Sequence, residues 1–173
     1  IVLCTDSQEL IMIAKSLGIN SLITSSKCSS GSERISSVIE KLIKIAWKDH
    51  DISKMNYEEL IKIKEETLII NVQGDQPFLD PLVLDKMSYF CLNSERIPDV
   101  VTPIYKLSKN EIHDPAVVKI LLNQEKKAIY FSRCALPFVR DHKKEDWHLF
   151  YDYWGHVGIY GYRGNIINEW NEY

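Results

Sequence analysis

The segment Thr67 to Val72 (Thr-Leu-Ile-Ile-Asn-Val) constrains the fold of this chain more than any other. Its apolar run is nearly continuous, with none of the alternation that marks a half-exposed strand. Such runs belong to strands covered on both faces, as in the middle of a parallel sheet. Gln73-Gly74-Asp75-Gln76-Pro77 then ends the run sharply. In an open α/β sheet, ligands bind beyond the carboxyl ends of the strands, and Asp75 lies just past such an end.

The segments on either side fit the same architecture. Ile1 to Thr5 reads as a buried strand, followed by a helix with Leu10, Ile13, Ala14 and Leu17 at helical spacing. Asp6 and Glu9 form a capping-box pattern at its start, and Gly18 closes it. Ile19 to Thr24 is a second short strand. Ser30 and Glu33 repeat the capping box before a helix striped by Ile35, Val38, Ile39, Leu42 and Ala46. The polar stretch from Trp47 to Glu66, with a short helix from Tyr57, reads as a surface insertion. Asp80 caps a further helix that has Pro81 at its first position. Strands are expected at Val100 to Tyr105, Val117 to Leu122, Ala128 to Ser132 and His156 to Tyr162, with a charged, aromatic loop at Asp141 to Tyr153 and a helix from near Asn165. Early strand-helix alternation and a strand-rich second half imply a mixed α/β fold.

Composition narrows the chemistry. The 173 residues suggest one domain, and 45% hydrophobic content is enough for a sizeable core. A net charge of -3 gives no electrostatic case for nucleic acid or an anionic membrane. Any phosphate chemistry must therefore come from local geometry. Cys4, Cys28, Cys91 and Cys134 are far apart, with no Cys-x-x-Cys pair, so free thiols in a reducing cytoplasm are expected. Neither a signal peptide nor a membrane-length apolar run is visible. Ile1 opens directly in an apolar run without an initiator Met, and Tyr173 falls within the last expected helix. A fragment is the expectation.

Several residues could carry chemistry, and each has a plainer reading. The Asp75 carboxylate suits Mg²⁺, a hard cation that shares its shell with substrate phosphates; the spacing equally allows a turn whose Asp only caps the next segment. Gly74 would let the backbone pass close to a ligand. Ser30-Gly31-Ser32-Glu33-Arg34 is an ordinary helix start, and its free N–H groups also suit a polar ligand. Arg133 could clamp a carboxylate in two-pronged fashion or form a surface ion pair. Lys119 could snorkel to the surface or face an anionic substrate. His156 and Tyr160 share one face if His156 to Tyr162 is a single strand, with Gly158 leaving a small opening between them. A lone His is more often structural. Trp147, Phe150, Tyr151, Tyr153 and Trp154 read as packing or an interface.

Seven segments in register carry a resemblance: Cys4-Thr5-Asp6, Ser30 to Arg34 (SGSER), Asn71 to Pro77 (NVQGDQP), Asp114 to Lys119 (DPAVVK), Tyr130 to Arg133 (YFSR), Leu136 to Asp141 (LPFVRD) and His156 to Arg163 (HVGIYGYR). Together they resemble the 3-deoxy-manno-octulosonate (Kdo) cytidylyltransferase family, the CMP-Kdo synthetases, over nearly the whole chain outside Trp47 to Glu66. The resemblance implies a Rossmann-like, mostly parallel mixed sheet with helices on both faces and a smaller β-rich part used for dimerisation. It implies a single nucleotidyltransferase domain over residues 1–173, incomplete at both ends, and a cytoplasmic homodimer. The implied reaction joins CTP to Kdo, giving CMP-Kdo and pyrophosphate for lipopolysaccharide synthesis, with Mg²⁺ as cofactor. Asp75 would then be a catalytic metal ligand, and Arg133 a catalytic residue offsetting the sugar carboxylate. Gln73, Arg133, His156 and Tyr160 would face the sugar acid, with Ser30, Gly31 and Arg34 near the cytidine.

Three departures stand beside the resemblance. The family's N-terminal phosphate loop does not precede Ile1, its second metal-binding Asp does not appear by Tyr173, and Gln76 replaces a common Glu beside Asp75. The fragment alone is therefore expected to be inactive. A sialate-type cytidylyltransferase or a non-catalytic sugar-nucleotide-binding fragment stays open on sequence alone. A metal-dependent glycosyltransferase would normally carry Asp-x-Asp, which Asp75-Gln76-Pro77 lacks.

Overall fold

Two parallel strands need a crossover between them, and the first elements of the chain supply one. The computed structural model describes residues 1–169, apart from the side chain of Ser53. In it β1 (Val2–Thr5) pairs in parallel with β2 (Asn20–Ile23), and α1 (Gln8–Ser16) connects them and packs on both. The cap of α1 is Ser7, whose Oγ accepts from the Leu10 N–H at 3.3 Å. The expected cap, Asp6, is instead 3.4 Å from Arg34 Nη1. At the other end Gly18 adopts φ +69°, and Ile19 N–H donates to Ala14 O at 2.9 Å, closing the helix as expected.

The chain forms two compact units: Ile1–Val101 with the chain from Tyr160 on, and Thr102–Ile159. In the first, β3 (Leu68–Asn71) and β4 (Val100–Val101) flank β9 (Tyr160–Arg163), both antiparallel to it. The register sorts the two faces of this sheet. Ile69, Tyr162 and Val100 lie side by side and join a core made by Ile39 and Ile43 of α3 (Ile39–Ala46), Ile63 of α4 (Tyr57–Glu65) and Ile167 of α6 (Ile166–Glu169). On the opposite face, a Cβ added to Gly161 would sit 2.6 Å from Val101 Cγ1 and 3.4 Å from Met87 Cε of α5 (Pro81–Leu92). Helices therefore cover both faces, as expected.

The mixed α/β class holds, but its proportions differ from the expectation of a mostly parallel sheet. Among the described strands only β1 and β2 pair in parallel, and β3 lies at an edge of its sheet. The apolar run of β3 reflects helices on both its faces, which an antiparallel edge strand can also have. The helix expected from Ser30 to Ala46 breaks into α2 (Gly31–Ser36) and α3. At the break, Ser37 Oγ donates back to Arg34 O at 2.7 Å and Ser36 Oγ to Asn168 Oδ1 at 2.9 Å. The stretch from Trp47 to Glu66 is not merely a surface insertion. It places Ile52 and Ile63 in the core, and Trp47 Nε1 donates to Thr67 Oγ1 at 2.9 Å.

In the second unit, β5 (Ile104–Lys106), β8 (Trp154–His156), β6 (Lys119–Leu122) and β7 (Ala128–Ser132) form one antiparallel sheet in that order. Leu107, Ile112, Trp147 and Tyr153 make its buried core, which absorbs two of the five clustered aromatics. Two strands expected to be single are divided. Val100 to Tyr105 breaks at Thr102-Pro103, because Pro103 has no N–H for a ladder. His156 to Tyr162 breaks at Val157 to Ile159, where Ile159 N–H donates to Val157 O at 2.7 Å in a tight turn. His156 and Tyr160 thus lie on different strands, β8 and β9, and the shared face expected for them does not exist. All four cysteines are free, as expected. Among the described residues, no helix is long and apolar enough to cross a membrane.

Gly161→Ala should lower the urea unfolding free energy by about 1–3 kcal/mol, because its methyl would overlap Val101 in a packed interior. An unchanged midpoint would show that the β9–β4 contact is looser than described.

Candidate active site

Unit 1 gathers six of the eight candidate residues where its strands end. Past β3 the chain makes a turn, with Gln76 N–H donating to Gln73 O at 3.2 Å. Asp75 occupies the third position of this turn. It is exposed, and its carboxylate makes no ion pair or hydrogen bond with any described residue. It does not cap the next helix; Asp80 does, accepting from Leu82 N–H at 2.9 Å. Gln73 is exposed beside it, and a Cβ on Gly74 would meet nothing within 4 Å. The backbone of this turn is open to an approaching ligand.

Asn71, the last residue of β3, ties this turn to the next elements. It is 6% exposed, and Tyr160 lies opposite it in register. A Cβ on Gly31 would fall 3.2 Å from Asn71 Nδ2, so the first turn of α2 rests on this amide. Ser30 caps α2, its Oγ accepting from Glu33 N–H at 3.1 Å. The second half of the expected capping box is displaced by one residue. Glu33 Oε2 accepts from both the hydroxyl and the N–H of Ser29 at 2.6 Å, which holds its carboxyl below the ordinary range. Ser32 Oγ and the Tyr162 hydroxyl are 2.9 Å apart.

Arg34 draws in the ends of the parallel pair. Its Nη1 donates to Thr24 Oγ1, just past β2, and lies 3.4 Å from Asp6 Oδ1, just past β1. Ser30, Gly31, Arg34, Gln73, Asp75 and Tyr160 therefore line the carboxyl ends of β1, β2 and β3 and the facing start of β9. Burial, reinforced by the Tyr162 phenol beside it, pushes the Tyr160 hydroxyl pKa up. Tyr160 is a neutral hydrogen-bonding group at neutral pH.

Unit 2 holds the other two candidates. Arg133 follows β7, and its Nη1 donates to Pro115 O at 2.8 Å and Ala116 O at 3.1 Å. The guanidinium thus braces the turn before β6, and it forms no ion pair with a described residue, unlike the plainer reading of its sequence position. His156 ends β8, with Nε2 2.8 Å from Thr102 Oγ1 and its ring edge-on to Phe131 at 5.0 Å between centroids. Burial lowers its pKa, so the ring is neutral at pH 7.

Lys119 neither snorkels nor faces a substrate. It is 1% exposed, and its ammonium donates to three backbone carbonyls, those of Asp114, Val117 (2.9 Å) and Arg133 (3.0 Å). Desolvation lowers its pKa, with the Asp114 carboxylate opposing. The lysine pins the turn that Arg133 braces to the backbone of Arg133 itself. Sequence reasoning also missed Asn71 and Thr102. The Thr102-Pro103 pair is a readable signal, since proline interrupts a ladder; nothing in the sequence marks Asn71 as more than one polar residue in an apolar run.

Among the described residues, no group of three or more His, Cys, Asp or Glu side chains gathers as a metal cage. Mg²⁺ rarely needs one, because it is commonly held by one or two carboxylates together with substrate phosphates. A single exposed and unpaired carboxylate such as Asp75 fits that donor set.

Comparison with known proteins adds to this geometry. The profile of the family described as "Cytidylyltransferase" matches residues 1–172. A 3-deoxy-manno-octulosonate cytidylyltransferase of Wolinella succinogenes is 33% identical over 96% of this chain, and one of Vesicomyosocius okutanii is 31% identical over 98%. Each match spans 60% of the relative, so this chain corresponds to part of their length. Among solved structures, a CMP:2-keto-3-deoxy-manno-octonic acid synthetase complexed with CTP superposes with a TM-score of 0.74 at 23% identity. That match covers 99% of this chain and 59% of the other, and it establishes the fold.

Replacing Lys119 with Met should cost about 2–4 kcal/mol of stability, because buried carbonyls lose a charged donor. Urea unfolding followed by tryptophan fluorescence measures this; a loss under about 1 kcal/mol would mean water replaces the ammonium.

Proposed function

This chain belongs to the cytidylyltransferase family, and from that premise we propose that it serves a sugar-acid cytidylyltransferase that couples CTP to Kdo, giving CMP-Kdo and pyrophosphate. The observation that carries the reading is Asp75: an acidic side chain in the open turn that follows β3, exposed and unpaired. The names of the most similar relatives support Kdo as the sugar acid, and the CTP held by the structural neighbour supports the nucleotide.

Roles follow from chemistry. Unit 1 offers the nucleotide polar groups at the start of α2: Ser30, the close backbone at Gly31, and Arg34 held by Thr24 and Asp6. Asp75 is the side chain that would hold Mg²⁺, which when bound offsets the charge of the triphosphate. Gln73 and the neutral Tyr160 phenol are assigned to hydroxyls of the sugar acid. Within unit 2, the exposed Arg133 guanidinium suits a carboxylate and the neutral His156 ring a hydroxyl. The anomeric hydroxyl attacks the α-phosphorus, an oxygen–phosphorus bond forms as the bond to pyrophosphate breaks, and no covalent enzyme intermediate is needed. Catalysis then consists of positioning and electrostatic stabilisation.

We further assign a homodimer, which the exposed apolar side chains Ile129, Tyr130 and Phe131 on the edge strand β7 support. Cytoplasmic CMP-Kdo production for lipopolysaccharide is the corresponding cellular role. In the full-length gene product, Asp75→Asn should lower turnover by about 100-fold or more, the equivalent of roughly 3 kcal/mol of lost charge stabilisation. Far-UV circular dichroism should stay unchanged. Turnover within a factor of three of the unmodified enzyme would remove Asp75 from the metal site.

A further inference from the structure

We infer that Thr102 is a positioning residue that fixes His156 as the tautomer protonated on Nε2, so that the lone pair of the ring lies on Nδ1. The hydrogens around one oxygen decide this. Thr102 Oγ1 lies 2.7 Å from Ile159 O, 3.1 Å from Val157 O and 2.8 Å from His156 Nε2. Carbonyl oxygens only accept, and a threonine hydroxyl has a single hydrogen to give. If that hydrogen pointed at Nε2, the oxygen lone pairs would face two carbonyl oxygens at close range. The hydrogen therefore goes to the carbonyls, Ile159 O being the nearer, and the contact with the ring must be an N–H donated by Nε2.

The surroundings hold the ring in this arrangement. Phe131 meets the imidazole edge-on at 5.0 Å, and the His156 N–H is bonded to Val118 O at 2.8 Å, which fixes the backbone from which the ring projects. Burial lowers the pKa of His156, so neutral imidazole, the form in which the tautomer matters, is the populated one at neutral pH. Whatever meets Nδ1 must then be a donor. This deepens the proposed function and rests on it in one respect: a sugar-acid hydroxyl would be met by an acceptor nitrogen, a preference that a ring free to exchange tautomers would lose.

The test uses ¹⁵N-labelled protein and long-range ¹H–¹⁵N correlation of the imidazole rings at pH 7.5, with His156 assigned by its loss in His156→Gln. The expected result is a pyrrole-type Nε2 and a pyridine-type Nδ1 for His156, retained in Thr102→Ser and collapsing toward a tautomer mixture in Thr102→Val. A ring protonated on Nδ1 in the unmodified protein, or a pattern indifferent to Thr102→Val, would overturn the inference. This readout needs no substrate, so it succeeds or fails independently of the sugar assignment. In the full-length enzyme, Thr102→Val should raise KM for the sugar acid about tenfold and leave KM for CTP within twofold, with Thr102→Ser restoring the first. An equal rise in both constants would also count against a positioning role.

Discussion

The buried amide of Asn71 is the contact on which the arrangement of unit 1 depends. It ends β3, lies opposite Tyr160, and sits so near α2 that a Cβ at position 31 would come within 3.2 Å of it. The neighbouring elements converge near it. α2 begins at the end of β3; Ser32 reaches Tyr162, and Arg34 reaches past β1 and β2 to Asp6 and Thr24. The turn carrying Asp75 starts two residues after the same amide.

Unit 2 is organised around a buried charge. The Lys119 ammonium spends its three hydrogens on backbone carbonyls and holds the Asp114 to Val117 turn against the end of β7. Arg133 then donates into the same turn from outside. A lysine in an apolar strand thus gives a fixed platform to a second cation, which is exposed and can still meet an anionic ligand.

Much of this is legible in the sequence, and the reasons differ by element. β7 matches its expected limits, and the Gly18 and Asp80 signals mark real helix ends, because caps and turns are set by a few neighbouring residues. The order of short motifs points to the family that the comparisons support. What cannot be read is tertiary. The polar stretch after Trp47 looks dispensable until Ile52 and Ile63 are seen in the core. The apolar run of β3 suggests a central parallel strand because covering by helices leaves the same signature on any strand. The two long strands that prove to be divided look continuous because Pro103 and Gly158 read as local features, not as points where the chain leaves one sheet for another. The fate of Arg133 depends on carbonyls 17 and 18 residues away, and that of Lys119 in part on one 14 residues away, which no local pattern encodes.

One proposed chemistry underlies these assignments: the rim at the ends of β1, β2 and β3 belongs to an enzyme that activates a keto-sugar acid with a cytidine nucleotide. The most direct measurement is pyrophosphate release by the full-length gene product, with CTP, ATP, GTP or UTP offered in turn with Kdo or sialate. Release is expected with CTP and Kdo, and little with any other pairing. Equal release with sialate, a preference for another nucleotide, or no release with any pairing by the folded full-length protein would contradict it.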